Sequence, residues 1–185
     1  RHLTGHFIFS AFELLARLKE KRLVLKDPLG VKDSITPQNQ VEFYSSWIYA
    51  AVHVALTIQK LQTKESLANY FKLEISQISE ILDFMESLGL VQQSGGIFKT
   101  GQSRMHLGTD SPMLSKHHIN WRLQAIQSLE KRNRTADLHY LSVVSISSDD
   151  VIRIKSILVK AIEDFKRVIR DSPEEELHSF LSRLF

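Results

Sequence analysis

Cysteine is absent from the 185 residues, which excludes disulfides and thiolate metal sites and fits a reducing, cytoplasmic compartment. Long apolar runs are missing as well. The longest, Trp47 to Ile58, covers 12 residues and contains His53, whereas a helix that crosses a bilayer needs about 20. No signal peptide is visible, so no membrane partner is expected. The chain has no GxSxG, no GxxxxGKS or GxxxxGKT and no GxGxxG, the signatures of a serine nucleophile, a phosphate cradle and a dinucleotide site. Eight histidines are present, but none stands in an HExxH pattern. The adjacent His117 and His118 would point about 100° apart on a helix and share one ion poorly. These absences lead us to expect no enzyme activity, no metal and no cofactor.

What remains is an ordinary folding composition, 43% hydrophobic and 24% charged, sufficient to bury a core without staples. The net charge of +3 is unevenly spread. Residues 1–26 carry +4 and residues 99–134 carry +5, while residues 27–98 carry −4 and residues 135–185 carry −2. Two basic blocks in a mildly basic chain are a weak electrostatic footprint for nucleic acid. The chain opens on Arg1 rather than Met, so further sequence is expected upstream.

Apolar residues at helical spacing (Phe9, Phe12, Leu15, Leu18) predict a helix over residues 7–22, and Asp27-Pro28-Leu29-Gly30 opens a linker or long loop to residue 42. Ser45 or Ser46 then caps a helix from Trp47, with Trp47, Ala50, Ala51, Val54, Ile58 and Leu61 on one stripe. Thr63 caps a second helix carrying Leu67, Tyr70 and Phe71 inward. Lys72-Leu73-Glu74 makes a tight connection. Ser76 caps a third helix with Ile78, Ile81, Leu82, Met85 and Leu88 inward, stopped by Gly89. Leu90–Ser94 and Ile97–Thr100 flank Gly95-Gly96 as a hairpin. Three short helices followed by a glycine-turned hairpin is the order of a winged helix, with the hairpin as the wing. A further helix runs from Ser111-Pro112 to about Lys131, its apolar positions including Met113, Ile119, Leu123, Ile126 and Leu129. Residues 138–147 read as a strand, and Ser147 to Asp150 cap an amphipathic helix to about Arg170. Residues 177–185 read as a final strand pairing with 138–147, or as a short helix. The expected fold is α+β: an N-terminal helix and linker over residues 1–43, a winged helix over 44–108, and a helix with a strand–helix–strand unit over 109–185.

Phe43-Tyr44-Ser45-Ser46-Trp47 with Ala50-Ala51, Ser87-Leu88-Gly89-Leu90, Leu107-Gly108-Thr109-Asp110, His117-His118 and the Ser142–Ser147 strand before Ser148-Asp149-Asp150 carry a resemblance. Over roughly residues 8–185 the chain resembles an uncharacterised bacterial family of winged-helix transcriptional regulators, present as large paralogous sets in predatory and fibre-degrading bacteria. The resemblance implies a regulatory role and a small helix-turn-helix ahead of this region. That family's last strand usually carries a Phe-Pro near its end, where this chain has Leu184-Phe185.

The third helix of a winged helix normally enters the major groove. Here residues 76–88 hold Glu80, Asp83 and Glu86 and no Lys or Arg, which repels phosphates and forfeits counterion release. Gln77 is its one candidate for a base contact. The better phosphate contacts are Lys99 on the wing, Arg104 just after it, and Lys116 and Arg122 on the next helix; the plainer reading is a solvated basic face. Tyr44 and Trp47 are either core residues or aromatic anchors for a partner, and Glu80 and Asp83 would mark an acidic docking face. The leading expectation is a regulator module whose C-terminal unit serves dimerisation or partner sensing, with weak DNA contact of its own or DNA contact supplied from upstream. The rival is a protein-interaction adaptor with no nucleic-acid role. A homodimer is expected because the 150–170 helix is apolar on more than one face and a two-stranded sheet is marginal alone.

Overall fold

A computed structural model describes residues 35–103, 107, 111–130 and 138–181. The chain is mixed α+β, mostly helical, with one two-stranded antiparallel hairpin. It divides into two units, one of Lys32–His139 with Pro173–Arg183, the other of Arg1–Val31, Tyr140–Ser172 and Leu184–Phe185.

The first unit opens with α1 (Pro37–Ser45), where the sequence led us to expect a linker. Thr36 caps it by accepting from the Asn39 amide, and Pro37 sits where a helix needs no N–H. Its residues Pro-Gln-Asn-Gln-Val-Glu show no apolar stripe; Phe43 and Tyr44, both buried, hold it in the core. Ser46 caps α2 (Trp47–Ala55), as expected. The helix ends there, and Ile58 and Leu61 reach the core from a turn and a 3₁₀ turn (Gln59–Leu61) rather than from a continued helix. Thr63 and Ser66 form a reciprocal cap on α3 (Lys64–Phe71). Lys72 takes the left-handed conformation (φ 55°, ψ 47°) and turns the chain into α4 (Ile75–Ser87). The cap of α4 is Glu74, not Ser76, and Gln77 Oε1 accepts from the Glu74 amide.

Ile78, Ile81, Leu82 and Met85 of α4 pack with Val52, Leu56 and Leu67 to form the centre of the core. This stripe at i, i+3, i+4 and i+7 is what the sequence predicts. The chain then enters β1 (Val91–Ser94), turns at Gly95-Gly96 and returns as β2 (Ile97–Thr100), with Gln92 opposite Lys99 and Gln93 opposite Phe98. Both turn glycines have positive φ, as a two-residue primed turn requires. The hairpin is tied to the body at two points: Phe98 is buried, and its amide donates to the Gln62 carbonyl at 2.8 Å. Beyond β2, Gly101 comes so close to the Gly89 backbone that no Cβ fits there.

Helix α5 (Met113–Glu130) packs on α1 and α2, and of its apolar positions Met113 packs against the core. Ile119, Leu123, Ile126 and Leu129 are exposed, and Asn120 is buried, donating from Nδ2 to the Tyr44 carbonyl at 2.9 Å. The reason is visible at Ser45–Ser46, where the backbone breaks between two helices and leaves the Tyr44 carbonyl in need of a donor. Leu177 packs against the same core.

In the second unit, Ser147 caps α6 (Ser148–Asp171), the long helix the sequence predicts. It has a well-separated apolar face, yet none of its residues is buried. The strand–helix–strand reading is not what forms: residues 138–147 and 177–181 make no strand. A strand exists only with a partner, and Leu177, on the segment expected to supply one, packs against the first unit's core instead. The expected helix at 7–22 lies outside the described residues. No described helix is long and apolar enough to cross a membrane.

Candidate functional site

The exposed side of α4 and the hairpin beside it form the surface that the sequence nominates. Glu80, Asp83 and Glu86 are exposed along the helix, and the segment Ile75–Ser87 has no basic residue. A shallow depression between α3, α4 and the hairpin is lined by Lys64, Glu65, Asp83, Glu86, Gln93 and Phe98. Three carboxylates therefore face it against one ammonium, and Lys64 is committed, its Nζ lying 5.6 Å from the centroid of the Phe98 ring. Lys64, Glu65 and Gln93 were not singled out from sequence, because they stand on α3 and β1 and only the fold brings them beside α4. Glu80 points elsewhere: its charge and that of Glu42 add to burial in raising the Tyr49 phenol above its usual range.

Gln77, the candidate base reader, spends its Oε1 on the α4 cap. Lys99 is exposed on β2, and Lys116 is exposed on α5. Arg122 is half-buried and donates to the His118 carbonyl at 3.0 Å. Arg104 lies outside the described residues. Among the three described basic candidates, Lys99 and Lys116 are the exposed ones.

Tyr44 is 5% exposed and sits in the core. Its ring packs edge-on to Phe43 and His117 at 5.0 Å each, and burial pushes its phenol up to about 12. Trp47 is half-buried between Phe71 and Trp121, each at 6.1 Å, so it too is engaged in packing. His117 is lowered by burial and by its neighbour His118. His53 is also lowered by burial, opposed by its bond to the Leu90 carbonyl at 3.1 Å. A carbonyl only accepts, so Nε2 carries the proton and the ring is fixed in one tautomer. Among the described residues no group of three or more His, Asp or Glu could hold a metal ion.

A family model matches residues 30–185. The chain belongs to the family described as a domain of unknown function (DUF4423). No curated protein and no solved structure matches it. The match begins before α1 and runs to the end of the chain, so the DUF4423 domain takes in the α4 surface, the hairpin, α5 and α6 alike.

Proposed function

We propose that the DUF4423 domain is a winged-helix module of a transcriptional regulator, a binding protein rather than an enzyme, in which the third helix does not read DNA. The order α2, α3, α4 and hairpin supports the winged-helix reading, with α4 in the position of the recognition helix and the hairpin as the wing. The observation that carries the functional reading is the exposed face of α4, with Glu80, Asp83 and Glu86 and no cation. Neutralising phosphates supplies most of the affinity for duplex DNA, and this face does the reverse. Contact with DNA is left to Lys99 on the wing and Lys116 on α5, which hold phosphates without reading sequence.

The test is an electrophoretic mobility shift at low and moderate salt on several unrelated duplexes. Weak retardation, equal across sequences and lost with added salt, is expected. Lys99→Glu should weaken it for every duplex and flatten the salt dependence by about one unit. Sequence-specific binding at physiological salt that Gln77→Ala abolishes would overturn the reading. A protein-interaction adaptor without a nucleic-acid role is the second reading, favoured by the exposed Ile119, Leu123 and Ile126 on α5; complete absence of retardation at low salt would select it.

A further inference from the structure

Between α5 and α6 runs a segment whose chemistry contradicts its surroundings. Residues 138–146, Leu-His-Tyr-Leu-Ser-Val-Val-Ser-Ile, contain no Asp, Glu, Lys or Arg. Leu138, Tyr140, Leu141 and Val143 are 96%, 88%, 89% and 93% exposed. β-branched and aromatic residues favour a pleated, half-buried strand, yet the segment forms no strand, and no backbone hydrogen bond is made by residues 140–146. An uncharged, strand-prone run without proline, open to solvent along its whole length, is a template for pairing.

Its partner is written in its own order. About Ser142 the residues are symmetric in character. Read outward, Leu141 matches Val143, Tyr140 matches Val144, His139 matches Ser145, and Leu138 matches Ile146. Apolar meets apolar and polar meets polar at every step. In an antiparallel pair centred on Ser142, Leu138, Tyr140, Val144 and Ile146 fall on one face with Ser142, and His139, Leu141, Val143 and Ser145 on the other. Centring on Leu141 instead sets Tyr140 against Ser142 and His139 against Val143. Centring on Val143 sets Ser142 against Val144 and Leu141 against Ser145. Among registers centred on a residue, which are the ones a two-fold axis normal to the ribbon allows, Ser142 alone pairs like with like. The pair brings two copies of one segment together, so the lack of charge also removes any like-charge repulsion between them.

We propose that residues 138–146 form an antiparallel strand pair with the same segment of a second copy of the chain, on a two-fold axis through Ser142. A two-stranded ribbon is marginal by itself and needs an apolar layer on one face. Helix α6 begins two residues after Ile146 and supplies one: it buries no residue, and Ile157, Ile162, Val168 and Ile169 are exposed on it. Parallel stacking repeats by translation and propagates, whereas a two-fold pairing uses the same patch on both chains and is complete after two.

The absence of cysteine makes the register directly readable. In Ser142→Cys the introduced thiols of two copies face each other within the reach of a disulfide. In Ser145→Cys they lie about 20 Å apart, six residues along an antiparallel ladder. Oxidation followed by non-reducing electrophoresis should convert Ser142→Cys to a covalent species of twice the 21.3 kDa chain mass. That conversion should be at least about tenfold faster than for Ser145→Cys, as expected for a held pair over random collision. Sedimentation of the unmodified chain should show the dimer, and Ser142→Pro with Val143→Pro should return it to monomer, because one of the two removes a ladder donor in either hydrogen-bonding phase. The segment makes no backbone bonds of its own over 140–146, so the proline variant should keep the far-ultraviolet helix signal, which checks that it has folded. A monomer at every concentration, or equal crosslinking of the two cysteine variants, would overturn the proposal.

Discussion

At the scale of single residues, three positions report how α5 and the hairpin are held. Asn120 is the one buried polar residue among those described, and its bond to the Tyr44 carbonyl joins α5 to the end of α1. Asn120→Leu leaves that carbonyl buried without a donor, so it should cost about 1–3 kcal/mol in urea unfolding. A variant as stable as the parent would show that water reaches the carbonyl. Tyr44 predicts a pH dependence. Its phenol is raised to about 12 by burial, against about 10 in an unfolded chain. The folded state therefore binds the proton more tightly, and the stability this represents is present below pH 10 and lost as pH rises to 12. The loss is about 2–3 kcal/mol by linkage. Tyr44→Phe should flatten that alkaline limb relative to the parent; parallel curves for the two would refute it. Gly101→Ala should be the most damaging alanine substitution of the exposed connections, because its Cβ would meet the Gly89 carbonyl oxygen, a backbone atom that cannot swing aside. About 2 kcal/mol or more is expected from thermal unfolding.

At the scale of elements, α4 makes the sharpest prediction. Exchanging Glu80, Asp83 and Glu86 together for Lys adds cations where the recognition helix of a winged helix would meet DNA. Retardation should strengthen on all duplexes, and its salt dependence should steepen by up to about 0.9 for each phosphate gained. Unchanged binding would mean that this face lies away from DNA. Lys72 sits in the left-handed region, so Lys72→Gly should stabilise the α3–α4 turn by up to about 1 kcal/mol, read as a raised unfolding midpoint. The elements also divide by how legible they are. α4 and the hairpin could be read from sequence because their signals are local: an unbroken apolar stripe, a stop at Gly89 and a two-glycine turn. α1 could not, because its first six residues carry no stripe and its hold on the core rests on Phe43 and Tyr44. The buried position of α5 could not be read from its apolar residues, because a distant carbonyl, that of Tyr44, is met there by Asn120. The strand read at 138–147 does not form within the single chain, because pairing is non-local and no described partner segment lies beside it. Of the candidate site, the acidity of α4 was legible residue by residue. The approach of Glu65 and Gln93 was not, since they come from other elements.

At the scale of the whole molecule, burial is concentrated in one unit. Every buried residue among those described, from Phe43 to Asn120, belongs to Lys32–His139. Amide exchange should follow this distribution. The slowest amides are expected in α4 around Ile78–Met85, and those of α6, which buries none of its side chains, should exchange well before global unfolding. The ion pairs along α6, Asp150 with Arg153 and Asp164 with Arg167, are exposed and add little. Uniform protection across α4 and α6 would show that the two units unfold as one.

The hairpin tip offers an engineering port. A side chain built at Gly95 or Gly96 meets nothing within 4 Å, while the hairpin is anchored from below by Phe98 and the Gln62 carbonyl. A longer loop or an epitope grafted between Ser94 and Ile97 would project outward without passing through the core. Loop closure cost rises only slowly with length, so a fluorophore or affinity handle can be carried there with the helices left as they are.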